Sequence, residues 1–276
     1  MPLAVAALAL TALAAPGGDA VERGAYLAKV GDCFGCHTDD APGAVPYAGG
    51  RAIVSPFGTF HGPNITPDPR SGIGQWTEHD FVRAMRQGLS PFGAPYFPAF
   101  PYPSYTRTTD DDLRDLWAYL RSLPPSSRPS EPHELRWPFS ARAGVWVWRL
   151  LYFEPGPWRP DPAMSPAVAR GAYLVSSLGH CGECHTPRDR LGGPRAGRFL
   201  AGGPGPDGKK IPGLGPRHLG KWTDEDLTDL LTLGILPNGD VTAATMGEVV
   251  RNTTSQLTRA DLAAVIAFLR TLPAGD

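Results

Sequence analysis

The sequence predicts an all-α protein made of two tandem domains with long loops, and three observations carry that prediction. A five-residue motif, Cys33-Phe34-Gly35-Cys36-His37, returns once as Cys181-Gly182-Glu183-Cys184-His185. The blocks around each motif recur in the same order in both halves, and such a repeat has to be found before any fold is assigned. Inside those blocks, apolar residues follow a helical spacing between threonine starts and glycine or proline stops, and no convincing period-two run appears anywhere.

The chain has 276 residues, enough for about two domains of ordinary size. The duplication cuts it into 21–123, a connecting segment 124–167, and 168–276. Residues 1–20 form an Ala- and Leu-rich apolar run followed by small residues, with the length of a secretory h-region and Ala12-Leu13-Ala14 as a small-x-small cleavage site. A basic n-region is missing, so a late start codon and an ordinary apolar N-terminal helix stay open beside the signal peptide. No later stretch approaches the ~18 apolar residues of a membrane span. Membrane association is therefore expected only through a partner.

Arg23-Gly24-Ala25-Tyr26-Leu27 precedes the first motif, and Arg170-Gly171-Ala172-Tyr173-Leu174 precedes the second. Gly24 would let another helix cross at close range, the natural partner being the helix that carries Leu116, Tyr119 and Leu120; Gly171 and Phe268 offer the same pair. The alternative is that each glycine merely weakens a surface helix by ~1 kcal/mol, which does not account for their recurrence in register. Further along, Thr77, Thr109, Thr223 and Thr258 each stand three residues ahead of an Asp (Asp80, Asp112, Asp226, Asp261), a capping-box arrangement at a helix start. Gly88 and Gly234 supply matching helix stops, and Pro124 and Pro273 terminate the last helix of each half.

The two motifs carry the chemistry. Cys-x-x-Cys-His is the signature for attachment of a c-type haem: two thiols form thioethers with the vinyl groups, and the histidine ligates iron. Four cysteines in the chain fill two such sites, predicting two covalently bound haem c groups on Cys33, Cys36, His37 and on Cys181, Cys184, His185. Zinc and thioredoxin-like redox chemistry are the competing readings. Four-cysteine zinc sites usually bring their second pair within ~15–20 residues, whereas these pairs lie in opposite halves, and neither copy has a βαβ context. Covalent haem of this kind is generally attached outside the cytoplasmic membrane, which agrees with a periplasmic chain.

Composition narrows the partners. The 33 Gly and 31 Pro fall just under the roughly one-quarter share at which low complexity is suspected, and the 7 Trp, 8 Tyr and 11 Phe are too many for a chain that cannot bury a core. A net charge of −1 argues against a nucleic-acid partner. The connecting segment carries Trp137, Trp146, Trp148 and Trp158 around an apolar middle, so it is expected to pack as a strap over one or both domains, with a patch for a partner as the alternative.

The sequence resembles the di-haem and tri-haem cytochrome c subunits that accompany periplasmic dehydrogenases for alcohols, gluconate and related substrates. The residues that carry the resemblance are the two motifs, Asn64-Ile65-Thr66-Pro67-Asp68, Gly72-Ile73-Gly74-Gln75-Trp76, Pro98 to Tyr105, Gly179-His180-Cys181, and Met246-Gly247-Glu248-Val249-Val250. A third haem domain is missing. The resemblance implies two class I cytochrome c domains with crossed N- and C-terminal helices. It also implies a dehydrogenase as electron donor and a quinone, an oxidase or another cytochrome as acceptor.

Each iron then needs a sixth ligand. Met246, twelve residues after Gly234 and placed by the sequence on a loop, occupies the class I position and gives His185 a thioether partner of the kind that raises potential. The same offset from Gly88 reaches Phe100, which cannot ligate iron. Met85, His61 or no protein ligand remain open for the first haem. Arg51, Asn64, Trp76 and Trp222 are candidate donors to haem propionates, the two tryptophans equally being core; His79 reads as a solvated helix-start residue and His180 as structural. Two functions follow: an electron carrier, or a haem enzyme or sensor that binds a small molecule at an open first haem.

Overall fold

Helix α1 (Ala20–Val30) opens the computed structural model, which describes residues 18–205, 208–242 and 244–273. The proposed signal segment lies almost wholly outside the described residues. The first half continues with α2 (Cys33–His37), a hairpin β1 (Ala52–Ser55) and β2 (Gly58–His61), then α3 (Glu78–Gln87), α4 (Tyr102–Tyr105) and α5 (Asp110–Ser122). The connecting segment contains β3 (Glu134–Leu135) and α6 (Arg142–Tyr152). The second half is α7 (Pro166–Ser176), α8 (Gly182–His185), β4 (Gly203–Pro204), β5 (Lys210–Ile211), α9 (Pro216–Leu219), α10 (Asp224–Leu233), α11 (Ala244–Asn252), a 3-10 turn (Thr254–Gln256) and α12 (Arg259–Thr271).

The fold is mainly helical, as expected, but it is not strand-free. β1 pairs antiparallel with β2, Ala52 facing His61, and β2 pairs in turn with β3 of the strap, while β4 and β5 form a second small pair. These strands hold two to four residues, too short for a period of two to stand out in a sequence.

Both crossings predicted from glycine are present. A Cβ on Gly24 would overlap the Asp115 carbonyl oxygen and stand 2.6 Å from Tyr119 Cβ; on Gly171 it would overlap the Ala264 carbonyl and stand 2.8 Å from Phe268 Cβ. Contact with backbone cannot be relieved by a rotamer change. Gly24→Ala and Gly171→Ala are each expected to cost about 3 kcal/mol, the upper part of the overpacking range, against the ~1 kcal/mol that helix propensity returns. Gly144 in α6 has nothing within 4 Å of its missing Cβ, so Gly144→Ala is the control and is expected to stabilise. Urea midpoints of the holoprotein read all three, and stabilisation by Gly171→Ala would remove the crossing from the account.

The four threonine caps divide into two classes. At Thr77 and Thr223 the box is reciprocal, each Asp side chain reaching back to the threonine amide, which holds the Asp80 and Asp226 carboxyls below their ordinary range. At Thr109 and Thr258 the threonine accepts from the Asp amide, but the Asp carboxylates are used elsewhere. Asp112 accepts from Tyr173 Oη of the other half at 2.5 Å, and Asp261 accepts from Tyr26 Oη at 2.5 Å as well as from Arg170 at 2.8 and 2.7 Å. Each tyrosine oxygen also receives the other half's threonine amide, Thr109 N at 3.0 Å and Thr258 N at 3.4 Å. Equivalent residues thus exchange partners, and the halves face each other about a local two-fold.

The strap packs and presents at once. The inner face of α6 covers the segment after α3: Arg142 donates to the Pro95 carbonyl at 3.0 Å, Arg149 to Gln87, and Phe153 meets the Tyr102 ring at 4.9 Å. Towards the second half, Tyr152 donates to Asp189 at 2.6 Å and the Trp148 indole to the Leu191 carbonyl at 3.1 Å. The outer face leaves Trp146, Val147, Leu150 and Leu151 exposed, Leu150 by 86%. Among the described residues no helix is long and apolar enough to cross a membrane.

Candidate functional site

Each motif sits in a cradle built twice from the same hydrogen bonds. In the first half Gly49 N donates to His37 O at 2.7 Å, Tyr47 N to Thr38 Oγ1 at 3.0 Å, and Ile65 N to Tyr47 O at 2.9 Å. In the second, Gly202 N donates to His185 O at 2.7 Å, Leu200 N to Thr186 Oγ1 at 3.1 Å, and Leu214 N to Leu200 O at 2.9 Å. Tyr47 and Leu200 even share a left-handed backbone, with φ of 62° and 57°. Gly62 lies under the first motif, where a Cβ would overlap the Cys36 carbonyl oxygen.

The histidines are oriented the same way. His37 Nδ1 lies 2.7 Å from the Pro63 carbonyl and His185 Nδ1 lies 2.8 Å from the Pro212 carbonyl. A carbonyl can only accept, so Nδ1 carries the proton in both rings and Nε2 keeps its lone pair. Burial holds both imidazoles below their ordinary pKa, the carbonyl opposing it in part. This is the arrangement that suits a metal-ligating imidazole, with the orienting bond on the far nitrogen.

None of the four cysteines is in a disulfide, and none is fully buried. Their surroundings nonetheless push the Cys33, Cys36 and Cys181 thiols up to about 12, chiefly through desolvation. Thiols so raised are poor redox nucleophiles, unlike the lowered thiols of dithiol oxidoreductases. Among the described residues no cluster of three or more His, Cys, Asp or Glu could hold a bare metal ion. Two thiols and a neutral imidazole on one short turn fit a haem, which brings its own four nitrogens to the iron.

The distal residues fall less evenly. The turn after α3 and the turn after α10 keep one register: Tyr96 N donates to Gly88 O at 2.8 Å, and Thr242 N to Gly234 O at 2.7 Å. Phe100 and Met246 each stand four residues further on, so the match between them survives. Met246, however, lies within α11 rather than on a loop, packed against the core. Pro98, Pro101 and Pro103 prevent an equal helix in the first half. Phe100 instead joins an aromatic cluster, 5.6 Å from both Tyr96 and Tyr105.

Met85 is 5% exposed in α3, inside the core with Phe81 and Leu113. His61 ends β2 two residues before Pro63, the residue that holds His37 from its far side. Its imidazole faces the strap carboxylates, Glu131 at 3.3 Å and Glu134 at 3.9 Å.

The propionate donors need correction at one position. Asn64 spends both amide hydrogens on the Ser126 and Arg128 carbonyls, at 2.8 and 2.9 Å, and its oxygen accepts twice from Thr66. It ties down the strap and has no donor left. Arg51 pairs with Asp40 and with Glu248 of the second half. Trp76 and Trp222 pack against the core, and His79 is exposed at the start of α3.

His180, read from the sequence as structural, is placed at the boundary between the halves. It reaches the first half, with Nε2 3.4 Å from the Gly31 carbonyl and its ring 5.7 Å from that of Tyr105.

Comparison with known proteins agrees with this geometry. The cytochrome c family model matches residues 21–124 and again 168–273. A di-haem cytochrome c-type protein of Cereibacter sphaeroides is 44% identical over 91% of this chain and 86% of its own length. The cytochrome c subunit of a quinone alcohol dehydrogenase from Gluconacetobacter polyoxogenes is 40% identical over 96% of this chain, which spans 59% of that subunit. The cytochrome c subunit of gluconate 2-dehydrogenase from Pantoea cypripedii is 37% identical over 93% of this chain and 60% of its own length. With two oriented histidines, two thiol pairs and two matched segments, this chain belongs to the cytochrome c family.

Proposed function

We propose that this protein is a di-haem c-type cytochrome, located outside the cytoplasmic membrane, that passes single electrons from a dehydrogenase to a respiratory acceptor. The observation that carries the reading is the paired bond from histidine Nδ1 to a proline carbonyl, repeated in both halves at 2.7 and 2.8 Å. When bound, each haem iron supplies a one-electron couple; the chain's part is to attach, orient and enclose it. The relatives that are subunits of alcohol and gluconate dehydrogenases support a dehydrogenase as donor. Stoichiometric reduction by two electrons per chain, with full reoxidation by a quinone analogue or by oxidised cytochrome c, tests the carrier. Zinc in place of haem would end it.

His185 and Met246 form the axial pair of the second haem in this reading. Met246→Ala is expected to abolish a methionine-to-ferric-iron charge-transfer band and to lower that haem's potential while its covalent attachment persists. For the first haem, Met85 is the protein ligand, because Phe100 cannot serve and His61 lies on the His37 side with its ring among carboxylates. Carbon monoxide is expected to bind the reduced first haem slowly in the natural protein and readily in Met85→Leu, with His61→Ala unchanged. Fast binding to the natural protein would instead favour the enzyme or sensor reading, in which the aromatic cluster around Phe100 shapes a pocket for a small ligand.

A further inference from the structure

The interface between the halves brings the two attachment motifs together through a few side chains, and one of them joins the motifs directly. His180 immediately precedes Cys181, and its Nε2 lies 3.4 Å from the carbonyl oxygen of Gly31, two residues before Cys33. Since the carbonyl only accepts, His180 donates. Tyr105 Oη donates to the same oxygen at 3.2 Å, filling its second lone pair, and the Tyr105 and His180 rings meet edge-on at 5.7 Å. Alongside, Ser104 donates to Glu183, inside the second motif, at 2.7 Å.

The backbone leading into each motif takes the same left-handed bend. His180 has φ 34°, and its counterpart before the first motif, Asp32, has φ 46°; both are left-handed conformations that side chains other than glycine adopt at a cost. Asp32 uses its conformation locally, capping α2 through Gly35 N at 3.2 Å. His180 closes the same turn through its backbone, its carbonyl accepting from Glu183 N at 2.8 Å as that of Asp32 accepts from Gly35 N at 3.1 Å, while its imidazole crosses the boundary to Gly31. Burial dominates at Asp32 and raises its carboxyl, with His180 opposing the rise across the same gap.

We propose that His180, supported by Tyr105, is the contact through which single electrons pass between the two haems. The path runs from Cys181 through the His180 side chain, across one hydrogen bond to Gly31, and through Asp32 to Cys33. One electron leaves the ferrous iron of one site and reduces the ferric iron of the other, with no proton or co-reactant needed. His180 is thus a positioning residue for transfer within the chain, a role that rests on the di-haem reading above.

The test uses the full holoprotein, one-electron flash reduction, and the rate at which the electron then redistributes between the haems. His180→Phe keeps a ring but removes the donor, and is expected to slow redistribution several-fold while both midpoint potentials and both haem spectra hold. His180→Gln restores a donor and is expected to recover most of the rate. Tyr105→Phe is expected to give a smaller slowing, and it serves if His180→Phe folds poorly. An unchanged rate in a two-haem His180→Phe protein, or equal slowing in His180→Gln, would overturn the relay. A natural protein that holds fewer than two haems would instead overturn the reading beneath it.

Discussion

Cys33→Ala combined with Cys36→Ala is expected to leave one covalently held haem per chain in place of the proposed two. The chain's four cysteines are divided between two motifs, so no thiol can substitute for a lost pair. The second cradle, from Thr186 through Leu200 to Pro212 and Leu214, is built from its own half and does not need the first haem to form. The measurement is haem per chain after acid-acetone extraction, with His37→Ala as a companion expected to keep the thioethers while altering that haem's spectrum and potential. Loss of both haems, or of neither, would contradict the assignment. Because α2 also packs against α11, with Arg51 2.8 Å from Glu248, the one-haem protein is expected to be less stable as well.

Asp261→Asn should be the most damaging single substitution outside the motifs. Its carboxylate receives Arg170 twice and Tyr26 once, and the Arg170 and Asp261 side chains are only 8% and 7% exposed. Removing one partner of a buried pair leaves the other charge uncompensated, which costs about 3–5 kcal/mol. Tyr26→Phe deletes one hydrogen bond to a charged group and should cost about 1.5–3 kcal/mol. Urea unfolding at equal haem content separates the two. Equal losses would mean that the Arg170 pair contributes little and that the contact between halves is what matters.

The caps and the motifs were legible because each depends on residues near one another in the chain, as with Thr77 and Asp80. The crossed helices, a distant contact of Gly24 with Asp115 and Tyr119, were legible because Gly24 and Gly171 recur in register in the two halves. The same local logic placed the caps at Thr109 and Thr258 but not the return bond of the box, because their aspartates bond to tyrosines of the opposite half instead. It misplaced Met246, since nothing at that position announces that α11 begins at Ala244. The strands were missed because they hold only two to four residues, and because the outer partner of β2 comes from the strap, where Gly58 meets Leu135.

The sequence by itself determined the two Cys-x-x-Cys-His motifs, the number of halves, most of the helix ends and the match of Phe100 to Met246. Each follows from bonding or steric rules that act within a turn or two of backbone. Tertiary structure decided how the halves face each other, with Tyr26 reaching Asp261 and Tyr173 reaching Asp112, and so also what Asn64 and His180 do. Those contacts join residues as far as 235 positions apart. Their cause is the fit of two packed surfaces, for which a list of residues in order holds no local signal.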